Sequence, residues 1–156
     1  MGYRRLFIVR KDLNLSPGKL AVQLSHCSES YWLNLIRQNA EKCKTQEEYR
    51  RIRKKEPKYK YASNVFVSTE VFDEYITGDM VKTVCEANDL EHLKKAAKIA
   101  KDLFLREDVD FGFINDLCLT ELTPENPDGT CTTAFWTAPL PDVTAHAISK
   151  KYQLYR

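Results

Sequence analysis

The sequence predicts an α/β fold, a small mixed sheet of about four strands with helices on both faces. Short apolar runs of strand length alternate with longer segments of helical periodicity, the pattern that implies parallel pairing through right-handed crossovers. The 156 residues suit a single domain spanning 1–156, able to form a core without disulfides or a structural metal. The first run, Arg5–Arg10, is apolar and bounded by charges, as in a strand buried on both faces.

The remaining elements follow in order. Ser16-Pro17-Gly18 starts a helix, because serine can cap free amides and proline suits the first helical position; the helix is expected to run to about Gln38. Its Leu20, Leu24, Cys27, Tyr31 and Leu35 form an apolar stripe, and Lys19, Gln23, His26 and Ser30 a polar one beside it. Taken by spacing alone, the polar stripe is the solvated side of an amphipathic helix. Residues 39–67 read as an insertion, with a helix over Gln46–Lys55 and a short extended piece at Val65–Val67. Ser68 caps a helix over Thr69–Thr77 that Gly78 stops, and Val81–Ala87 is a strand. Asn88 with Glu91 resembles a capping box for a second long helix, in which Leu90, Leu93, Ala97, Ala100 and Phe104 keep the spacing. Strands are expected at Phe111–Asn115 and Thr132–Thr137, and a last helix at Asp142–Ser149.

Composition narrows the function classes. No run of apolar residues approaches the length of a membrane span, and the N-terminal residues lack a signal-peptide core, so the expected setting is cytoplasmic, with no membrane partner. Five cysteines at irregular positions make a poor disulfide framework, and three scattered histidines give no ligand spacing; neither metal nor cofactor is expected. The net charge of +2 conceals a basic block, since residues 42–60 hold nine Lys or Arg against three Glu. Such a block fits either a solvated surface or contact with phosphates.

Gly18-Lys19-Leu20-Ala21-Val22-Gln23-Leu24-Ser25-His26, preceded by the turn Arg10-Lys11-Asp12-Leu13, resembles the opening of type 2 peptidyl-tRNA hydrolases. Gly78–Val84, the loop Asp116-Leu117-Cys118-Leu119-Thr120, Thr133, Pro139 and the closing Leu154-Tyr155 continue the resemblance in order, over roughly 120 residues. Two features depart from the family pattern. Cys118 stands where the family has glycine, so a turn of positive φ is expected to be reshaped, and Thr123–Thr130 replaces a compact loop.

The resemblance implies hydrolysis of the ester between a peptide and the 3′ end of tRNA, in a cleft beside the first helix. Lys19 would contact a phosphate or the developing oxyanion, Asp116 would act as base or orienter of water, and Thr120 and Thr133 would donate or relay hydrogen bonds. Gln23, Ser25 and His26 would contact substrate, and Arg50, Arg51, Arg53, Lys54 and Lys55 the tRNA stem. Each also has a plainer reading: Asp116 as a turn residue, the threonines as strand formers, His26 as a hydrogen-bonded helix residue. A silent RNA-binding module of the same fold and a protein adaptor are the alternatives. Oligomeric state, a homodimer among the options, is left open.

Overall fold

The computed structural model describes residues 2–42 and 61–156. The chain runs β1 (Tyr3–Arg10), α1 (Pro17–Gln38), β2 (Ala40–Lys42), β3 (Tyr61–Ser63), α2 (Thr69–Val71, continued by a wider π turn at Phe72–Ile76) and β4 (Val81–Ala87). Then come α3 (Leu90–Asp102), β5 (Phe111–Asp116), β6 (Cys131–Thr137), β7 (Leu140–Pro141), α4 (Asp142–Ser149) and β8 (Gln153–Leu154). The two ends of the expected insertion pair antiparallel as β2 and β3; the helix expected over Gln46–Lys55 lies outside the described residues.

The main sheet has six strands rather than about four, in the order β5-β6-β1-β4-β8 with β7 also beside β1. Its four long strands match the expected ones, while β7 and β8 have two residues each, too few to show a periodic signal. β1 and β4 run parallel, from Arg4 opposite Val81 to Arg10 opposite Ala87. β6 is antiparallel to both β1 and β5, so β1, β4 and β5 all end at one edge, where Arg10, Ala87 and Asp116 stand.

Helices cover both faces because every residue from Arg5 to Arg10 is buried and successive side chains of a strand point opposite ways. Leu6 and Ile8 join Leu93, Ala96, Ala97 and Ala100 of α3 and Ile148 of α4 in one core. Phe7 and Val9 join Cys27 and Tyr31 of α1, with Ala134 and Trp136 of β6, in the other. Gly112 lies opposite Trp136, and a Cβ there would come within 2.6 Å of the indole. The wholly buried Arg5 guanidinium ties α1 down, donating to Thr137 O at 2.8 Å, Cys27 O at 2.8 Å and Ser28 O at 2.6 Å. Burial lowers its pKa, and the rings of Phe7 and Tyr31 face the cation at 5.0 and 5.7 Å.

Several local expectations shift. The cap of α3 is Asp89, not Asn88: its carboxylate accepts from His92 N at 2.8 Å, while His92 Nδ1 accepts from Asn88 N at 3.0 Å. The box is displaced by one residue, and histidine supplies the reach-back that glutamate was expected to make. α3 ends at Asp102, and Phe104, with φ +61° and 93% exposure, leaves the apolar face. Ser68 caps α2 as expected, but the helix widens into the π turn after one turn. Val65–Val67 forms no strand.

Candidate active site

The polar stripe of α1 faces the end of β5. Ser16 caps α1 and Pro17 takes its first position, which puts Lys19 in the first turn and Gln23 one turn further on. Lys19 Nζ lies 3.0 Å from Asp116 Oδ2, with both side chains about nine-tenths buried. The Gln23 amide donates to the same oxygen at 2.8 Å, and the Cys118 backbone N–H donates to Oδ1 at 2.8 Å. Thr133 Oγ1, on β6, donates to Gln23 Oε1 at 2.5 Å, and Lys19 donates to Thr120 Oγ1 at 3.2 Å. Five side chains from two strands, one helix and one loop thus form a single chain of hydrogen bonds, of which Gln23 and Thr133 are wholly buried.

Burial alone would raise the Asp116 carboxyl, but the Lys19 ammonium, the Cys118 amide and the Gln23 amide together hold it below the usual carboxylate range. Asp116 is therefore ionised, a weak base and a strong anchor for Lys19.

Two further carboxylates build the site from the loop after β5. Glu121 accepts from Ser16 Oγ at 2.6 Å and from Ser16 N at 3.0 Å, while Ser16 Oγ accepts from Lys19 N at 3.2 Å. These hydrogen bonds lower the Glu121 carboxyl. In a capping box the acid sits at the third helical position; here Lys19 occupies that position, and Glu121 supplies the acid from another segment. Arg10, 4% exposed, makes two contacts each with Asp12 (3.1 and 2.7 Å) and Glu125 (2.5 and 3.2 Å) and donates to Thr132 O at 3.0 Å. It thereby clamps the 117–130 loop to the end of β1. Sequence reading did not find Glu121 or Glu125, because the signal in each case is a partner more than 100 residues away.

A family model for peptidyl-tRNA hydrolase PTH2 matches residues 3–155, nearly the whole chain. The chain belongs to the peptidyl-tRNA hydrolase PTH2 family. It is an ester hydrolase of translation, and peptidyl-tRNA is its substrate. Comparison with curated proteins gives no match.

For a peptidyl-tRNA hydrolase the loop geometry at Cys118 matters. Its φ is +57°, so the turn where the family carries glycine keeps its left-handed conformation with a cysteine in place, instead of being reshaped. That conformation aims the Cys118 amide at Asp116. Burial and the neighbouring Asp116 carboxylate raise the pKa of the Cys118 thiol, which disfavours the reactive thiolate. Burial likewise pushes Cys27 up to about 12 and Cys131 up to about 11.

A cleft of about 320 Å³ runs along α1 from Asp116 past His26, Ser30 and Leu33 to Arg37, with Asn115 and Leu117 opposite. His26 is exposed on its wall. Ser25, two residues after Gln23 and so about 200° further round the helix, is exposed away from the Asp116 cluster. Gln23 bridges two buried groups instead of opening onto the cleft. Arg50, Arg51, Arg53, Lys54 and Lys55 lie outside the described residues. No helix among the described residues is long and apolar enough to cross a membrane.

Proposed function

We propose that Lys19 is the electrophilic catalyst of peptidyl-tRNA ester hydrolysis, held by Asp116 and Gln23. The observation that supports this most is the 3.0 Å contact between Lys19 and the carboxylate of Asp116, a residue that also lines the cleft. Two of the three ammonium protons are directed to Asp116 Oδ2 and Thr120 Oγ1; the third is left for the ester carbonyl oxygen, on which negative charge develops as water attacks. The Thr120 oxygen accepts from Lys19, which frees its own proton for the same oxyanion. Among the described residues Asp116 Oδ1 receives the Cys118 amide alone and retains a lone pair for the attacking water, but a carboxylate this well stabilised accepts a proton weakly. Electrostatic stabilisation by Lys19 is accordingly the larger effect. Gln23 and Thr133 act through Asp116 as positioning residues, and His26 contacts substrate along the cleft.

A cytoplasmic site of action fits the free thiols at Cys27, Cys85, Cys118 and Cys131. The test is release of free tRNA from peptidyl-tRNA by the purified protein, with Lys19→Ala and Asp116→Asn compared at matched circular dichroism. Release that survives both substitutions contradicts the assignment.

A further inference from the structure

From Asp116 to Thr130 the chain has four acids and no Lys or Arg; Asp116 pairs with Lys19 and Glu125 with Arg10, which leaves Glu121 and Asp128 with no cationic partner among the described residues. Among the described residues, a cluster of uncompensated positive charge lies on the other face of the sheet, where it attracts phosphates. Helix α3 carries Lys94, Lys95, Lys98 and Lys101 against Glu91 and Asp102, and Lys150 and Lys151 follow α4. Lys94 is 3.6 Å from Glu91 and Lys101 3.1 Å from Glu107. Lys95, Lys98 and Lys151 are exposed and have no carboxylate within 4 Å among the described residues.

Those three unpaired cations line one cavity of about 440 Å³, together with His92, Ile99, Asp102 and Tyr152. Its aromatic wall is fixed. The His92 and Tyr152 rings stack at 4.4 Å and 15°, His92 Nδ1 accepts from Asn88 N, His92 Nε2 lies 3.2 Å from Lys151 O, and Tyr152 Oη donates to His92 O at 2.7 Å. Three lysines converging on a preformed concave surface, with one acid among the lining residues, suit a chain of phosphodiesters better than a small neutral ligand. The cavity begins at the start of α3, the helix that follows β4 at the edge where Asp116 ends β5. Three strand spacings, about 14 Å, separate β5 from β4 along that edge. A tRNA acceptor arm of several base pairs spans this distance.

We propose that the Lys95–Lys98–Lys151 groove holds the phosphodiester backbone of the tRNA part of the substrate, while the ester reaches Lys19 across the sheet edge. The proposal rests on peptidyl-tRNA being the substrate, and it concerns backbone binding, not the chemistry. The test compares wild type with the triple variant Lys95→Gln/Lys98→Gln/Lys151→Gln on two substrates, peptidyl-tRNA and peptidyl-adenosine, which keeps the ester but lacks the backbone. The groove predicts a KM for peptidyl-tRNA raised roughly tenfold at unchanged kcat, and a log–log salt dependence of tRNA binding shallower by about two to three units. Turnover of peptidyl-adenosine stays as in wild type, and the triple Lys→Arg variant keeps the wild-type KM. A peptidyl-tRNA KM within twofold of wild type overturns the proposal, and so does an equal loss on both substrates. A wild-type protein that binds deacylated tRNA through these lysines but releases nothing from peptidyl-tRNA would instead strike at the hydrolase assignment and leave the groove standing.

Discussion

Gln23 Nε2 donates to Asp116 Oδ2 at 2.8 Å from a position with no solvent exposure. The same side chain receives the Thr133 hydroxyl, so a single amide sets the orientation of the carboxylate and links β6 to the end of β5. Gln23→Leu removes both hydrogen bonds and leaves the buried Thr133 hydroxyl, among the described residues, with only a 3.5 Å contact to Ile114 O. The cost of an unsatisfied buried group is about 1–3 kcal/mol, which should appear as a Tm lowered by several degrees together with reduced kcat. Unaltered Tm and kcat would show that the bridge is dispensable.

Asp116→Asn keeps the shape of the side chain but removes the charge opposite Lys19. We expect kcat to drop about a hundredfold to thousandfold, the range for losing a group that stabilises developing charge, and Lys19→Ala to act similarly. The pH dependence separates the roles. The folded carboxyl lies below its unfolded value, so the Lys19–Asp116 contribution to stability is complete above the unfolded pKa near 3.9 and fades as pH falls through the folded one. Asp116 itself therefore imposes no loss of rate between about pH 5 and 7. An acid limb in that window that persists in His26→Ala and vanishes in Asp116→Asn would contradict this ordering.

Position 118 holds a left-handed conformation that favours glycine. Cys118→Gly should retain activity and keep or raise Tm, whereas the β-branched Cys118→Val should lower Tm and reduce kcat by pulling the amide away from Asp116. Thermal scans and single-turnover assays on the pair settle the order; a Val variant as stable and active as wild type would refute it.

Arg10→Ala strands two carboxylates that face one cation. The side chains of Asp12 and Glu125 are about one-third exposed, so solvent softens the loss, and we expect about 2 kcal/mol, less than for a fully buried pair. Arg10 holds the Glu125 carboxyl below its usual range. The clamp is thus intact above the unfolded glutamate pKa near 4.3 and weakens as pH falls. Denaturant midpoints for wild type and variant should converge in acid; a gap independent of pH would argue against the ion pair.

Gly112→Ala tests the approach of β5 to Trp136. A methyl group 2.6 Å from the indole forces the ring or strand to move, and overpacking of this kind costs about 1–3 kcal/mol. Equal denaturant midpoints for wild type and variant would show that the sheet absorbs it.

The amino-acid sequence by itself determined the periodic elements: the apolar run that became β1, the capped amphipathic α1 and the four long strands, because strand and helix periodicity and local capping are written in neighbouring residues. It also brought out Lys19, Gln23, Asp116, Thr120 and Thr133 as ordered motifs, though only the resemblance, not their spacing, assigned them roles. Tertiary structure alone decided that these five meet, that Gln23 is a buried bridge while Ser25 turns away, and that Glu121 and Glu125 complete the site from a distant loop. It also set the two-residue strands β7 and β8 and moved the α3 cap to Asp89. The physical reason is range: periodicity and caps act within a few residues, whereas an ion pair, a buried hydrogen bond or an edge-strand pairing joins positions whose proximity exists only once the sheet has formed.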